Sequence, residues 1–319
     1  MDDKLIDRLC CPSCRAQVEF QGDALSCAEC ECSYPCIGGR PLLVPFLEDK
    51  ARFEALLEAA SSLPPRPSSD TSPEGLDGDI EGFFFRTLFR QFDRRDPQWA
   101  FLGRKITEMV ARVGEGLSVL DIGAGECKYA TLLGHADYVS TDLVFSSDRH
   151  DFSLIDVVAD ASAIPFRDAE FDVALNLVVL EHVPDPWLAV DEMARVLKPG
   201  GIAFAMIPLV RPEHLAPFDF HRFTRYGIQR MFENSGFRVD SIEGSNGTFW
   251  TAVHYARMIS KTEPLKRYGR RSIRGMFLNR LWHLLLWPLV FYARRSDKSY
   301  GDEFPMYFWV QATREPSGD

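Results

Sequence analysis

The chain has 319 residues, which is enough for about two domains with a sizeable buried core. Hydrophobic residues make up 46% of it and charged residues 26%, and this balance excludes a collagen, a coiled coil and wholesale disorder. The formal net charge of −10 disfavours a protein that grips nucleic-acid phosphates over its whole surface. The acidic start of the sequence lacks an apolar stretch of signal-peptide length, so we expect a cytoplasmic protein.

Seven of the eight cysteines lie between residues 10 and 36, and without an export signal this cluster disfavours a disulfide framework. Cys11 and Cys14 form one C-x2-C pair, and Cys27 and Cys30 form a second. Two such pairs can place four thiolates around one structural zinc ion. We therefore predict a small zinc-ribbon domain over 1–50, whose folding energy comes largely from the metal. The alternative is that these cysteines are reduced structural thiols that bind no metal. Three further cysteines lie in the same segment, and any one of them could replace a ligand: Cys10, Cys32 and Cys36.

The same segment carries Tyr34-Pro35, two glycines and an apolar run over 42–44. Together with the C-x2-C pairs, this pattern resembles the small zinc-ribbon proteins that activate tRNA and protein methyltransferases. The resemblance covers about residues 5–46. It implies that this domain docks onto a protein partner or acts as a scaffold, without itself catalysing a reaction.

A helix and a break follow the ribbon. Residues 48–60 have helical composition, whereas 61–79 are dominated by proline, serine, glycine and acid, so 51–79 is predicted to be a helix and a linker. From residue 80, two lead-in helices (82–94 and 98–113) precede short apolar runs that alternate with helical patterns. This alternation predicts an α/β domain over 80–316 with a mostly parallel sheet.

The first buried strand of this domain, 117–123, runs into a glycine turn and a predicted helix over 128–134. Gly123 and Gly125 let the backbone turn tightly and approach a ligand. Strands over 138–142 and 156–160 end in Asp142 and Asp160, and an acid at such a position can accept hydrogen bonds from ribose hydroxyls. Helix N-caps are the alternative role for both acids. Strands over 171–177 and 202–208 follow, separated by a helix over 186–197.

Five motifs in this order, DIGAGEC, STDL, VVADASAIPF, FDVALNLVVLEHVPDP and RVLKPGG, cover 117–208. They resemble the class I S-adenosylmethionine-dependent methyltransferases of the UbiE-like group. The resemblance implies a Rossmann-like seven-stranded sheet, mostly parallel with its last strand antiparallel, and S-adenosylmethionine as cofactor. Cys127 stands where the family pattern has a third glycine, and we interpret it as a small buried thiol. The resemblance implies cofactor contacts at Asp121, Gly123, Ala124, Gly125, Asp142, Leu143, Asp160, Ala161, Asn176 and Leu177.

Two histidines are candidates for a catalytic base, which an acceptor hydroxyl would need. His182 follows the fourth strand of the core, and His221 precedes a predicted helix over 225–235. Hydrogen-bonded loop residues are the alternative interpretation for both.

Residues 261–298 form a basic and aromatic insertion before the last strand, predicted over 304–313. The insertion has ten basic and two acidic residues, and they flank an apolar run over 281–293 that is too short to span a bilayer. Such a segment is typical of helices that lie on anionic lipid, so peripheral contact with the inner surface of the membrane is one interpretation. The alternative is an inserted helix that packs against the domain.

The predicted function is transfer of a methyl group to a small-molecule, glycan or lipid-linked acceptor. An RNA methyltransferase is the first alternative, because the basic insertion could bind phosphates. Residues 1–50 argue against it, since they carry five basic and nine acidic residues. A catalytically silent cofactor-binding or activator protein is the second alternative.

Overall fold

The computed structural model describes residues 3–45, 50–64, 96–145, 151–268, 273–296 and 303–316. The predicted lead-in helix over 82–94 and most of the predicted linker lie outside these residues. The helices are α1 (Asp3–Arg8), α2 (Lys50–Ser61), α3 (Pro97–Arg112), α4 (Pro186–Val196), α5 (Arg225–Asn234), α6 (Thr248–Tyr268) and α7 (Ile273–Ser296), with a short 3-10 helix at Leu180–His182. The strands are β1 (Val18–Gln21), β2 (Ala24–Cys27), β3 (Ser33–Ile37), β4 (Arg40–Leu43), β5 (Ser118–Ile122), β6 (Asp137–Asp142), β7 (Val157–Ala159), β8 (Phe171–Leu177), β9 (Leu197–Pro208), β10 (Phe237–Gly244) and β11 (Tyr307–Arg314).

The strands after residue 96 lie in the order β7-β6-β5-β8-β9-β11-β10. Neighbouring strands from β7 to β9 are parallel, and β11 is antiparallel to both β9 and β10. Strands β5, β7 and β8 are buried along nearly their whole length, as is usual for parallel strands in a sheet that is covered on both faces. The predicted α/β fold, mostly parallel with an antiparallel last strand, is therefore confirmed.

The cysteine-rich segment continues the same sheet. Its strand β4 pairs in parallel with β7, through Leu42 opposite Val158 and Leu43 opposite Ala159. The segment also contributes side chains to the main hydrophobic core, where Leu9 and Leu25 are fully buried. The sequence predicts a separate small domain here, and the structure shows that it shares a sheet and a core with the rest of the protein.

A buried arginine strengthens this junction. The guanidinium of Arg8 forms ion pairs with Glu170 at 2.8 Å and with Asp137 at 3.1 Å, and it lies 4.4 Å from the centre of the Phe171 ring. Its side chain is only 7% exposed, so these partners compensate for its desolvation. Helix α1 is thus held to the amino-terminal ends of β6 and β8.

The helix predicted over 128–134 is not present, and that prediction is wrong. Successive turns occupy these residues, closed by hydrogen bonds from the Ala130 amide to the Cys127 carbonyl and from the Leu132 amide to the Tyr129 carbonyl. Cys127 has a φ of 51°, in the left-handed region, so the backbone leaves the glycine turn in a conformation that cannot start a helix.

Helices α6 and α7 pack against each other between β10 and β11. Trp250 of α6 is fully buried, and the indole NH of Trp282 on α7 donates to the Ala256 carbonyl at 2.9 Å. Most of the large apolar side chains that can be described on α7 are nevertheless exposed. Within the described part of the chain, no helix combines the length and the apolar character needed to cross a membrane.

Candidate active site and metal centre

A cavity of about 730 Å³ opens at the carboxyl ends of the parallel strands. Its volume lies within the range of roughly 300–1,000 Å³ that is usual for small-molecule sites. Ligands bind at this edge of open α/β sheets because the loops after the strands diverge there. Trp99 and Leu102 of α3 contribute to its wall, so the helix before the first core strand takes part in closing it.

The turn after β5 forms one end of the cavity. Gly123 has a φ of 72°, and a Cβ atom placed on it would lie 2.5 Å from Cγ2 of Val179. The amides of Gly123 and Ala124 donate to the Thr141 carbonyl, and the Gly125 amide donates to Oδ2 of Asp142 at 3.0 Å. Glycine is therefore required at 123 for both its conformation and its size.

Eight of the ten residues predicted to contact the cofactor line this cavity. Asp142 accepts hydrogen bonds from the amides of Gly125 and Val144, and Asp160 accepts one from the Ser162 amide. Carboxylate oxygens have two acceptor sites each, so both acids can still bind ribose or adenine groups. The eight are Gly123, Ala124, Gly125, Asp142, Leu143, Asp160, Ala161 and Leu177.

The other two predicted cofactor residues, Asp121 and Asn176, do not line the cavity. Asp121 is buried and accepts a hydrogen bond of 2.6 Å from the Tyr138 hydroxyl, and burial raises the pKa of its carboxyl to about 7. Asn176 is also buried, and its Oδ1 has no partner among the described residues. Both lie in the strands behind the site.

Another part of the cavity lining combines polar and aromatic side chains. His182 lines it, and Nδ1 of His182 donates to the Phe218 carbonyl at 2.5 Å. Burial lowers the pKa of His182, which keeps the imidazole neutral and able to accept a proton at neutral pH. Arg211, His214 and Phe220 also line the cavity.

His221 does not line the cavity. Its Nε2 donates to the Pro184 carbonyl at 3.1 Å, and its ring contacts Trp187 and Phe223. Of the two predicted catalytic histidines, only His182 therefore lines the cavity. Arg211 and His214 are absent from the sequence prediction, although their position just after β9 places them at the carboxyl edge of the sheet.

The four predicted metal ligands meet in one cluster. The sulfur atoms of Cys11, Cys14, Cys27 and Cys30 all lie within 4.8 Å of one another. Cys11 and Cys30 are 3.5 Å apart and Cys14 and Cys27 are 3.4 Å apart. Sulfur atoms around a tetrahedral zinc ion, each about 2.3 Å from the metal, are roughly 3.8 Å apart. The donor set therefore fits a structural zinc ion.

A tyrosine supports the thiolate cluster from behind. The Tyr34 hydroxyl lies 3.1 Å from the Cys11 sulfur and 3.2 Å from the Ser13 hydroxyl. Hydrogen bonds of this kind orient metal ligands. Tyr34 belongs to the Tyr-Pro pair noted in the sequence, and this contact gives the pair a structural role.

A glycine turn, acids at two strand ends and a cavity at the carboxyl edge of a mostly parallel sheet define a Rossmann-like nucleoside-binding domain. Residues 120–205 match the protein family described as "Methyltransferase domain". The chain therefore contains a class I S-adenosylmethionine-dependent methyltransferase domain, as the sequence motifs predict.

Similar proteins are found among bacterial methyltransferases. The chain is 33% identical over 154 residues to an uncharacterized methyltransferase of Mycolicibacterium vanbaalenii, covering 42% of this chain and 58% of that protein. It is 29% identical over 200 residues to an uncharacterized methyltransferase of Mycobacterium tuberculosis, and this match covers 51% of this chain and 75% of that protein. The chain thus spans less than two thirds of the first relative.

Similarity to solved structures is weaker. A complex of the Haloferax volcanii Trm112 methyltransferase activator with a methyltransferase has a TM-score of 0.42 at 15% identity, covering 75% of this chain and 98% of that one. The phosphoethanolamine N-methyltransferase 2 of Haemonchus contortus has a TM-score of 0.41 at 16% identity, and the match covers 79% of this chain and 62% of that chain. These similarities are too weak to carry a functional argument.

Proposed function

We propose that this protein transfers a methyl group from S-adenosylmethionine to a small or lipid-linked acceptor bound in the same cavity. One observation carries the proposal. One cavity is lined both by the glycine turn, Asp142 and Asp160 and by a second group that includes His182 and Arg211, here called the acceptor end. A cofactor and an acceptor can therefore share one space, which an in-line displacement requires.

The residues of the chain have limited tasks in such a reaction. Bound S-adenosylmethionine supplies an already activated methyl group. Asp142 accepts hydrogen bonds from the ribose hydroxyls, and the turn at 123–125 lets the backbone approach the methionine end. Leu177 excludes water from the centre of the cavity, and His182 accepts a proton from an acceptor hydroxyl.

Cofactor binding tests the proposal directly. Calorimetric titration of the full chain with S-adenosylmethionine should show one saturable site. Asp142→Asn should weaken binding by roughly 10- to 100-fold, because the lost charge supported hydrogen bonds worth about 1.5–3 kcal/mol. Asp168→Asn is the matched control, since Asp168 is 71% exposed and pairs with Arg195 outside the cavity. Absence of saturable binding to the unmodified protein at millimolar cofactor would refute the proposal.

The two histidines are expected to behave differently. With an acceptor in hand, His182→Ala should lower the rate of methyl transfer by about 100-fold or more, the usual contribution of general acid–base catalysis. His221→Ala should change it little, because His221 lies outside the cavity lining. Single-turnover rates with saturating cofactor provide the measurement. Equal losses in both variants would contradict the assignment.

The acceptor end favours an anionic group next to an apolar one. Arg211 lies there among apolar side chains, including Leu215, Phe218 and Phe220. Such a mixture suits a small acid or a phosphate attached to a lipid better than a nucleic-acid backbone, which needs an extended basic surface. This supports a small-molecule or lipid-linked acceptor over RNA.

Helix α7 supports a lipid surface as a partner. Leu284 is 70% exposed, Trp287 is 64% exposed and Phe277 is 65% exposed, and the exposed Arg274 and Arg295 lie towards the two ends of the helix. Large exposed apolar faces with basic flanks bind anionic lipid. We propose that α7 lies on the membrane surface and brings the cavity near a lipid-linked acceptor.

Vesicle flotation tests this contact. The protein should float with vesicles that contain anionic lipid and not with neutral ones, and the double variant Leu284→Glu, Trp287→Glu should lose most of the binding. Tyr226→Glu is the matched control, because Tyr226 is 78% exposed on α5, away from this face. If the double variant instead converts a dimer to a monomer without affecting flotation, the face is a contact between copies and the membrane proposal is wrong.

A further inference from the structure

A second group of potential metal ligands lies at the acceptor end of the cavity. It consists of Glu181, His182 and His214, here called the Glu–His cluster. Nε2 of His182 and Nε2 of His214 are each 3.8 Å from Oε1 of Glu181. All three ligand atoms lie within 4.8 Å of one another.

The hydrogen bonds of the two imidazoles determine where their protons lie. Nδ1 of His182 faces the Phe218 carbonyl at 2.5 Å, and a carbonyl can only accept. Nδ1 of His214 faces the Pro212 carbonyl and Oδ2 of Asp219, both at 3.2 Å. Each neutral ring therefore carries its proton on Nδ1, and both Nε2 lone pairs are free to bind a metal.

These outer contacts match those of metal-binding histidines. Such histidines usually donate their second ring NH to a carboxylate or a backbone carbonyl, which fixes the ring and raises its basicity. Asp219 is itself held by Arg222 at 2.6 Å and by the His214 amide at 2.7 Å. The side chain of His214 is therefore oriented before any ligand arrives.

The carboxyl group of Glu181 is the strongest indication of a ligand site. The residue is fully buried, and neither carboxylate oxygen has a hydrogen-bond partner among the described residues. Nε2 of His214 is also buried without a partner. Buried oxygen and nitrogen atoms that face one another without a hydrogen-bond partner are costly, and a metal ion bound between them would satisfy all of them at once.

A shared proton does not satisfy this arrangement. A hydrogen bond between Glu181 and either imidazole needs a separation of about 2.7–3.2 Å, and both observed separations are 3.8 Å. Ligand atoms around a metal ion at 2.0–2.2 Å are roughly 3 to 3.6 Å apart. The two separations between Glu181 and the imidazoles therefore need to shorten by less than an ångström to hold a metal.

We infer that Glu181, His182 and His214 bind one divalent transition-metal ion at the acceptor end of the cavity. Two imidazoles and one carboxylate suit zinc, iron, cobalt or nickel and leave coordination positions open. Since both imidazoles line the cavity, an acceptor oxygen or carboxylate can occupy an open position. With the metal bound, Nε2 of His182 is a ligand and no longer the base, and the metal would lower the pKa of an acceptor hydroxyl so that it releases its proton to solvent.

Cobalt(II) binding tests the inference without any need for activity. The full chain is first given one equivalent of zinc to fill the four-cysteine cluster, and cobalt(II) chloride is then titrated. We expect one further equivalent to bind with d–d absorption bands and without a sulfur-to-cobalt charge-transfer band. Glu181→Gln and His214→Gln should each weaken this binding by about 100-fold, and Asp219→Asn by about 10-fold or more. His221→Gln should bind cobalt like the unmodified protein.

The outcomes are distinguishable. No second equivalent in the unmodified protein, or unchanged affinity in Glu181→Gln, overturns the inference. A charge-transfer band on the second equivalent assigns the cobalt to cysteine and also overturns it. If Glu181→Gln does not fold, as judged by circular dichroism, then His214→Gln, at a partly exposed position, decides the matter. Calorimetry with S-adenosylmethionine on the same samples tests the proposed function separately, because cofactor binding depends on the glycine turn, Asp142 and Asp160 and does not depend on the Glu–His cluster.

Discussion

Cys14→Ser should abolish zinc binding and destabilise the protein by several kcal/mol. Cys14 is exposed, so without a metal this substitution would change stability by only about 0.5 kcal/mol. With zinc bound, it removes one of four ligands from a site whose binding energy is folding energy, about 10–16 kcal/mol in small zinc domains. The zinc content by mass spectrometry and the free energy of unfolding in urea give the measurement.

Cys36→Ser provides the control. Cys36 is a free cysteine in β3 of the same segment, outside the four-cysteine cluster. It should retain one zinc ion and nearly the full stability. If Cys14→Ser and Cys36→Ser lower the free energy of unfolding by the same small amount, the cysteines are ordinary reduced thiols and the zinc assignment is wrong.

The effect of zinc loss should extend into the cofactor site. Strand β4 is the sheet neighbour of β7, and Asp160 follows β7 directly at the cavity. Disorder in the cysteine-rich segment would expose this edge strand and loosen the backbone that positions Asp160. We therefore expect chelation of zinc to weaken cofactor binding as well as to lower the melting temperature.

Gly123→Ala should be the most damaging single change at the cofactor site itself. The new methyl group would lie 2.5 Å from Val179, and the φ of 72° is unfavourable for alanine. Backbone strain costs about 1–2 kcal/mol and overpacking about 1–3 kcal/mol. Because the turn also lines the cavity, cofactor affinity should fall by at least 10-fold. Unfolding curves and calorimetry measure the two effects.

Gly116→Ala separates the two causes. Gly116 has a φ of 75°, and a Cβ atom there would contact nothing within 4 Å, so it carries the strain without the clash. We expect Gly116→Ala to lose only the roughly 1–2 kcal/mol of stability that backbone strain costs, and to bind the cofactor normally. The double variant Gly123→Ala, Val179→Ala should regain part of the loss. Equal destabilisation at 116 and 123 would show that packing against Val179 is unimportant.

The methyltransferase core follows closely from local sequence. The strand predicted over 171–177 has the observed bounds of β8, and Asp142 and Asp160 fall at the cavity as the strand-end argument predicts. These features depend on short apolar runs, glycines and acids within a few residues of one another. The helix predicted over 128–134 failed because a left-handed residue, Cys127, interrupts the backbone just before it.

The sequence by itself determined the class of fold, the glycine turn and the four cysteines, since each depends on spacing over a few positions. The tertiary structure decided how distant segments meet. It joined β4 to β7, which are more than 110 residues apart in the chain. It also placed His214 beside Glu181, because the loop after His214 returns to this point and the amides of Phe220 and His221 donate to the Glu181 carbonyl. Pairing between edge strands and the return path of a loop depend on packing across the whole molecule, and local patterns do not encode that packing.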